Sequence, residues 1–178
     1  MAEYGLKISC VIILTLLFLH ESSGQERAVG TSYSYAGVGL TYEQPLGNET
    51  FMDLQLRAEA FEIFHSNAPF PGMSASMTWN MYFAGFQSGN GNYIRFFAGP
   101  GVIAGYMPDM RAPYGGVFGL KGRVGGECRF DRNVAISMSL SPILGAHVTM
   151  REGMPHMKLF MNGLIYGLMP EVGIKYLF

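Results

Sequence analysis

Two short stretches hold residues whose types and spacing could do chemistry. In FHSN (64–67), His65 stands beside Ser66, the pairing in which an imidazole base activates a hydroxyl nucleophile. Adjacent residues of an extended strand point to opposite faces, so this pair can cooperate only inside a turn. Glu62 is the one nearby acid that could orient the imidazole. The second stretch, MREGMPHM (150–157), gathers Met150, Met154, His156 and Met157, with His147 just before them. Thioethers and imidazole suit Cu(I). Methionine also packs adaptably against apolar surroundings, and 13 methionines spread along the chain favour that plainer reading. No cysteine or histidine spacing supports zinc, and GNGN (89–92) has the composition of a hairpin turn, not of a phosphate-cradling loop. The expectation is no metal, no cofactor and no catalysis, with FHSN a polar loop.

The elements that would position these residues are strands. Apolar residues make up 49% of the 178-residue chain and charged residues only 14%, yet 24 glycines interrupt the apolar runs. Beyond residue 24 no run approaches the length of a membrane-spanning helix. A net charge of −1 gives no electrostatic reason to expect a nucleic-acid partner. Near the start, Lys7 precedes ISCVIILTLLFL (8–19), with Ser22 and Gly24 following. A basic residue, a short apolar stretch and small residues predict a secretory signal peptide over 1–24, and a domain over 25–178. As a helix the apolar stretch would cover about 18 Å of a roughly 30 Å hydrocarbon core, too little to anchor the chain. Cys10 falls in this leader, which leaves Cys128 without an intramolecular disulfide partner.

Alternation dominates the rest of the chain. In MDLQLRAEA (52–60), Met52, Leu54, Leu56, Ala58 and Ala60 oppose Asp53, Gln55, Arg57 and Glu59. Similar alternation in 74–83, 117–130 and 134–144 predicts strands at about 33–44, 50–64, 73–86, 93–106, 115–130, 134–148 and 160–178. Turn residues separate them at 45–48, 66–72, 88–92, 108–116, 130–133 and 151–155. These strands are long enough to cross a bilayer at a tilt, which takes about 9–11 residues. Membrane barrels of one bacterial chain have even strand numbers, and eight is the expected count. The eighth strand comes either from 26–34 pairing with the C-terminal strand, or from a hairpin at Asn162-Gly163 splitting 156–178. Pro100, Pro142 and Pro170 each interrupt a strand-like run, and a closed barrel accommodates such prolines at bulges. The fold class is therefore all-β, a closed antiparallel up-and-down transmembrane β-barrel.

The composition of the two faces sets which one turns inward. The polar face is mainly Ser, Thr, Asn and Gly, with five acids (Glu43, Asp53, Glu59, Glu127, Glu171) against six bases (Arg57, Arg95, Lys121, Arg123, Arg129, Lys175). Small residues with compensating ions suit a narrow lumen, where an unpaired charge would cost several kcal/mol. The bulky, uncharged face suits lipid, so Leu56→Arg should block assembly far more than Ser139→Arg. An eight-stranded barrel is just wide enough for side chains to fill it, so the eleven charges are expected to form a plug, with a polar conduit as the alternative.

The last residues, PEVGIKYLF (170–178), place Val172, Ile174, Tyr176 and Phe178 at alternate positions. This ending resembles the recognition signal of bacterial outer-membrane β-barrel proteins, which the barrel-assembly machinery reads. With the leader and the strand pattern, residues 25–178 resemble a small outer-membrane barrel, most like the short barrels of Bacteroidetes. The resemblance implies residence in the outer membrane, contact with its lipid and lipopolysaccharide, and a structural or surface-interaction role. The outer-membrane lipid A deacylases are also barrels of this size with a His–Ser pair, but one residue separates their pair, whereas His65 and Ser66 are adjacent. A deacylase-like enzyme is thus one alternative. A secreted, lipocalin-like barrel with an apolar ligand is another.

Overall fold

The computed structural model describes residues 26–59, 71–88, 92–109, 112–130, 133–151 and 153–178. Residues 1–24, expected to be a leader, and His65 and Ser66 lie outside the described residues. The strands are β1 (Ala28–Tyr33), β2 (Gly37–Pro45), β3 (Thr50–Glu59), β4 (Gly72–Gln87), β5 (Tyr93–Asp109), β6 (Ala112–Arg129), β7 (Val134–Leu140), β8 (Ile143–Arg151), β9 (Met154–Leu159) and β10 (Glu171–Leu177), with one helix, α1 (Met161–Gly167), before β10. All pairings are antiparallel, and eight strands close a ring in the order β1-β2-β3-β4-β5-β6-β7-β10 and back to β1. The eighth strand is β1, which pairs with the C-terminal strand from Ala28↔Leu177 to Tyr33↔Val172. Of the two routes to eight, the structure takes that one.

The ring closes with a stagger. Directly opposed residues lead from Arg129 to Ala135, Lys175, Gly30, Thr41, Gln55, Ser76 and Ile103, and return to β6 at Gly119, ten residues from the start (129 to 119). At about 3.3 Å per residue and about 4.8 Å between strands, this offset tilts the strands by about 40° to the barrel axis, within the range that closed barrels require. Hydrogen-bonded closure leaves these eight strands no free edge within the ring.

Strands β7 and β8 are two halves of one strand. Both pair with β6 in a single continuous register, Val124↔Leu140 in one half and Leu120↔Leu144 in the other. Pro142 divides them because it has no N–H to give the ladder. Its carbonyl still accepts from Gly122 N at 2.9 Å, and the N–H of Ser141 turns instead to the Gly167 carbonyl of α1 at 2.7 Å. Beyond the break β8 pairs with β9 in a hairpin whose turn includes Gly153 at φ 78°.

Helix α1 corrects two expectations. Residues 160–178 are not one strand, and Asn162-Gly163 is not a hairpin turn, because both lie in or beside this helix. Phe160, Gly163 and Gly167 share its buried side at helical spacing. A Cβ on Gly163 would stand 2.5 Å from the Phe160 ring and 2.8 Å from Ile143 Cβ, so only glycine lets the helix approach this closely. The prolines are also accommodated differently. Pro100 sits within β5 opposite Gly122 with no register shift, while the ladder to β4 steps from Thr78↔Gly101 to Met81↔Ala98. The bulge in that ladder lies elsewhere, between Tyr82 and Ala84. Pro142 breaks its strand and Pro170 precedes β10. The stretch 108–116 is mostly strand, since β5 runs to Asp109 and β6 begins at Ala112.

Candidate functional site

The inward positions build a filled interior in layers. At the end that carries Ala28 and Leu177, these two residues pack with Ala135. Above them Phe51 lies 4.8 Å from Tyr82 and 5.5 Å from Phe97, ring centre to ring centre, and the Arg95 guanidinium stacks 3.8 Å over Tyr82.

The charged layer comes next, drawing on strands from all round the ring. Lys175 of β10 contacts Glu43 of β2 and lies 3.0 Å from Glu127 of β6. Glu127 in turn lies 2.7 Å from Arg95 and 3.3 Å from Arg129. Arg129 stands at the mouth, where it also meets Glu26 at 2.9 Å. Arg123 of β6 likewise reaches Asp53 of β3, the direct cross-strand neighbour of Glu43, at 2.8 Å. Taking such charges from water costs several kcal/mol each, which these mutual contacts offset.

A layer joined by neutral groups sits above. Lys121 Nζ donates to Gln55 Oε1 at 2.7 Å and to Ser76 Oγ at 2.9 Å. Gln55 Nε2 donates to Ser32 Oγ and Glu171 Oε1, both at 2.8 Å, and Glu171 pairs with Arg57. Gln55 thereby ties one buried cation to one buried anion across the lumen.

The far end is closed by apolar packing and a latch. Phe160 joins Ile103, Met107, Val117 and Ile143 in a buried cluster. His147 is fully buried and stacks on Phe160, and its Nε2 donates to the Met107 carbonyl at 3.0 Å. Asp109 accepts the Asn162 backbone N–H at 2.9 Å and lies 2.9 Å from Lys158 Nζ, which fastens both β9 and α1 to the end of β5. A cavity of about 30 Å³ remains beneath the helix, lined among others by Arg57, Glu59, Asn162 and Tyr166.

The outer wall has the opposite character. Leu40, Leu56, Met73, Phe118, Leu120, Leu144 and Ile174 are each more than half exposed. A closed ring with buried ions inside and bulky apolar groups outside inverts the polarity of a water-soluble fold.

No protein-family model matches the chain, and no curated protein matches it. The chain is similar in structure to Ail, the attachment invasion locus protein of Yersinia pestis. The match covers 86% of this chain and 97% of that one, at 12% sequence identity and a TM-score of 0.36. The closed barrel itself rests on this chain's own strand pairings.

Of the eleven charged positions singled out in the sequence, ten take part in these lumen contacts. The exception is Glu59, which lines the cavity under α1. Val172, Ile174, Tyr176 and Phe178 stand on the exposed side of β10, while Glu171 and Lys175 are buried. The methionine stretch does not converge: Met150, Met154 and Met157 are widely exposed, whereas His147 is buried against Phe160. Among the described residues, no group of three or more His, Cys, Asp or Glu could hold a metal ion. Sequence reasoning missed Asp109, which lay in a stretch read as a turn, and Asn162, read as part of a hairpin. It also missed Gln55 as a bridge, because alternation reports a face but not a partner.

Proposed function

We propose that the chain is an integral outer-membrane β-barrel protein with a structural or surface-interaction role, exported by its leader. The observation that carries this reading is the inverted polarity of the ring. A lipocalin-like soluble barrel needs an apolar lumen for its ligand and a polar outer wall. Here Lys175, Glu127, Asp53 and Arg123 are buried inside, and Leu56 and Leu120 face out at 63% and 65% exposure.

The layered interior supports a plug over a conduit, since charge-paired side chains fill the middle and apolar packing closes the end beneath α1. Val172, Ile174, Tyr176 and Phe178 act, in this reading, as the strand read by the barrel-assembly machinery, and lipopolysaccharide and lipid are the surroundings of the outer wall. The test is fractionation followed by gel electrophoresis with and without boiling. The protein is expected in the outer membrane, with a mobility that changes on boiling. Recovery from the soluble periplasmic fraction, with no such change, would overturn the reading. Bilayers containing the purified barrel are expected to carry no more current than lipid alone.

A further inference from the structure

Strand β9 lies outside the closed ring. It pairs with β8, and among the described residues no strand lies on its other side. The Phe160 N–H donates to the Gly145 carbonyl at 2.9 Å, in step with the register that opposes Leu159 to Ala146. Backbone groups of an antiparallel strand turn to one neighbour and then to the other at successive residues. Lys158, His156 and Met154 therefore turn theirs to β8, while Leu159, Met157 and Pro155 direct theirs to the open edge.

The side chains along that edge continue the apolar wall. His147 of β8 is buried, so its neighbours Ala146 and Val148 point to the outer face. Leu159 and Met157 stand directly opposite them, and Met157 is 70% exposed. The same face runs on through Leu144 to Phe118 and Leu120 of β6. Hydrocarbon beside this wall offers no hydrogen bond, and lipid-exposed sheet edges do not persist in it. Another strand meets that need.

We propose that β9 pairs antiparallel with β9 of a second copy, making a two-fold dimer centred on Met157. The inference rests on the membrane reading above and goes beyond it. In this register the strand is its own complement. Met157 exchanges both backbone bonds with Met157 of the second copy, and each Leu159 N–H meets the Pro155 carbonyl opposite. Pro155 has no N–H, so it leaves no donor stranded. On the outer face Met meets Met and Pro meets Leu, with no charge. On the other face Lys158 opposes His156, and its ammonium is held by Asp109 at 2.9 Å. Moving the centre to Lys158 would set two ammonium groups directly opposite each other, an unfavourable pair. A two-fold contact of this kind closes on itself and stops at two chains.

The experiment is oxidative cross-linking of the full chain in outer membranes, in a Cys128→Ser background that removes the cysteine outside the expected leader. Met157→Cys should give a disulfide-linked dimer that disappears on reduction. Met154→Cys, which the two-fold places well beyond the roughly 7 Å between Cα atoms that a disulfide spans, should give about tenfold less. Co-expressed Pro155→Cys and Leu159→Cys chains should link to each other in preference to themselves. A change of gel mobility on boiling shows that each variant has folded. Equal linking at 157 and 154 in folded variants, or no preference of 155 for 159, overturns the dimer while leaving the membrane barrel standing. Linking of Met157→Cys to a different protein assigns the edge to a foreign strand and likewise overturns the dimer. A wild-type chain that is soluble without detergent overturns the membrane reading and the dimer together.

Discussion

Lys175 Nζ lies 3.0 Å from Glu127 Oε2, and both side chains are 2% exposed, although the two residues stand on strands with β7 between them. The same ammonium contacts Glu43. One cation on the closing strand thus neutralises two carboxylates, from β2 on one side and β6 on the other. It links the C-terminal strand to both halves of the ring.

Replacing that cation should be costly. Lys175→Met leaves Glu43 and Glu127 facing each other without their shared counter-charge, and breaking a buried pair in this way costs about 3–5 kcal/mol. Urea unfolding of the refolded barrel in detergent is expected to show that loss. The double variant Lys175→Met/Glu43→Gln should recover part of it, because it removes one of the stranded charges. No recovery would mean that Lys175 acts through packing and not through charge.

The outer wall makes a separate prediction. Leu56→Arg should destabilise the assembled barrel by about 2–4 kcal/mol if the residue sits near the lipid midplane, whereas Leu56→Phe should be tolerated. The matching expectation for Ser139→Arg changes. Ser139 is 3% exposed, and Arg123 Nε lies 3.5 Å from its hydroxyl, so a second guanidinium has neither room nor a free counter-charge. Both arginine variants should now fail. Leu56→Phe is the control that separates lipid contact from simple overpacking, and its failure would count against a lipid-facing wall.

The latch at the far end can be tested locally. Asp109→Ala removes the acceptor of the Asn162 N–H and the partner of Lys158. Amide hydrogen exchange over 158–164 should accelerate, while β1 and β10 keep their protection. Uniform acceleration would show that α1 is part of the cooperative barrel and not a separately fastened plug.

Phe178 separates assembly from stability. Its ring is 58% exposed, but its backbone pairs with Arg27, N–H to carbonyl in both directions at 2.9 and 3.0 Å. Phe178→Ala keeps those bonds, so refolding into detergent should change by less than about 0.5 kcal/mol. If the ending serves as an assembly signal, the amount of folded protein in the outer membrane should fall sharply. A parallel fall in both measurements would assign Phe178 a structural role instead.

Period-2 alternation was enough to place Asp53, Lys121, Arg123 and Lys175 on one face and Leu56, Leu120 and Ile174 on the other. The reason is that side chains of a strand alternate whatever its neighbours are. Length and charge composition turned those faces into an inside and an outside. Alternation carries no register, however, so it did not say that Lys175 meets Glu127 or that Gln55 bridges Lys121 and Glu171. Those partners depend on the ten-residue stagger with which the ring closes, from Arg129 round to Gly119. Helix α1 was equally hidden: its buried residues are Asn162, Gly163 and Gly167, which give no hydrophobic period to read. The sequence by itself determined a barrel and the sense of its two faces, because both depend on local geometry and transfer from water. Only the tertiary structure decided which charges pair and what closes the far end, because these depend on strands distant in sequence meeting in one register.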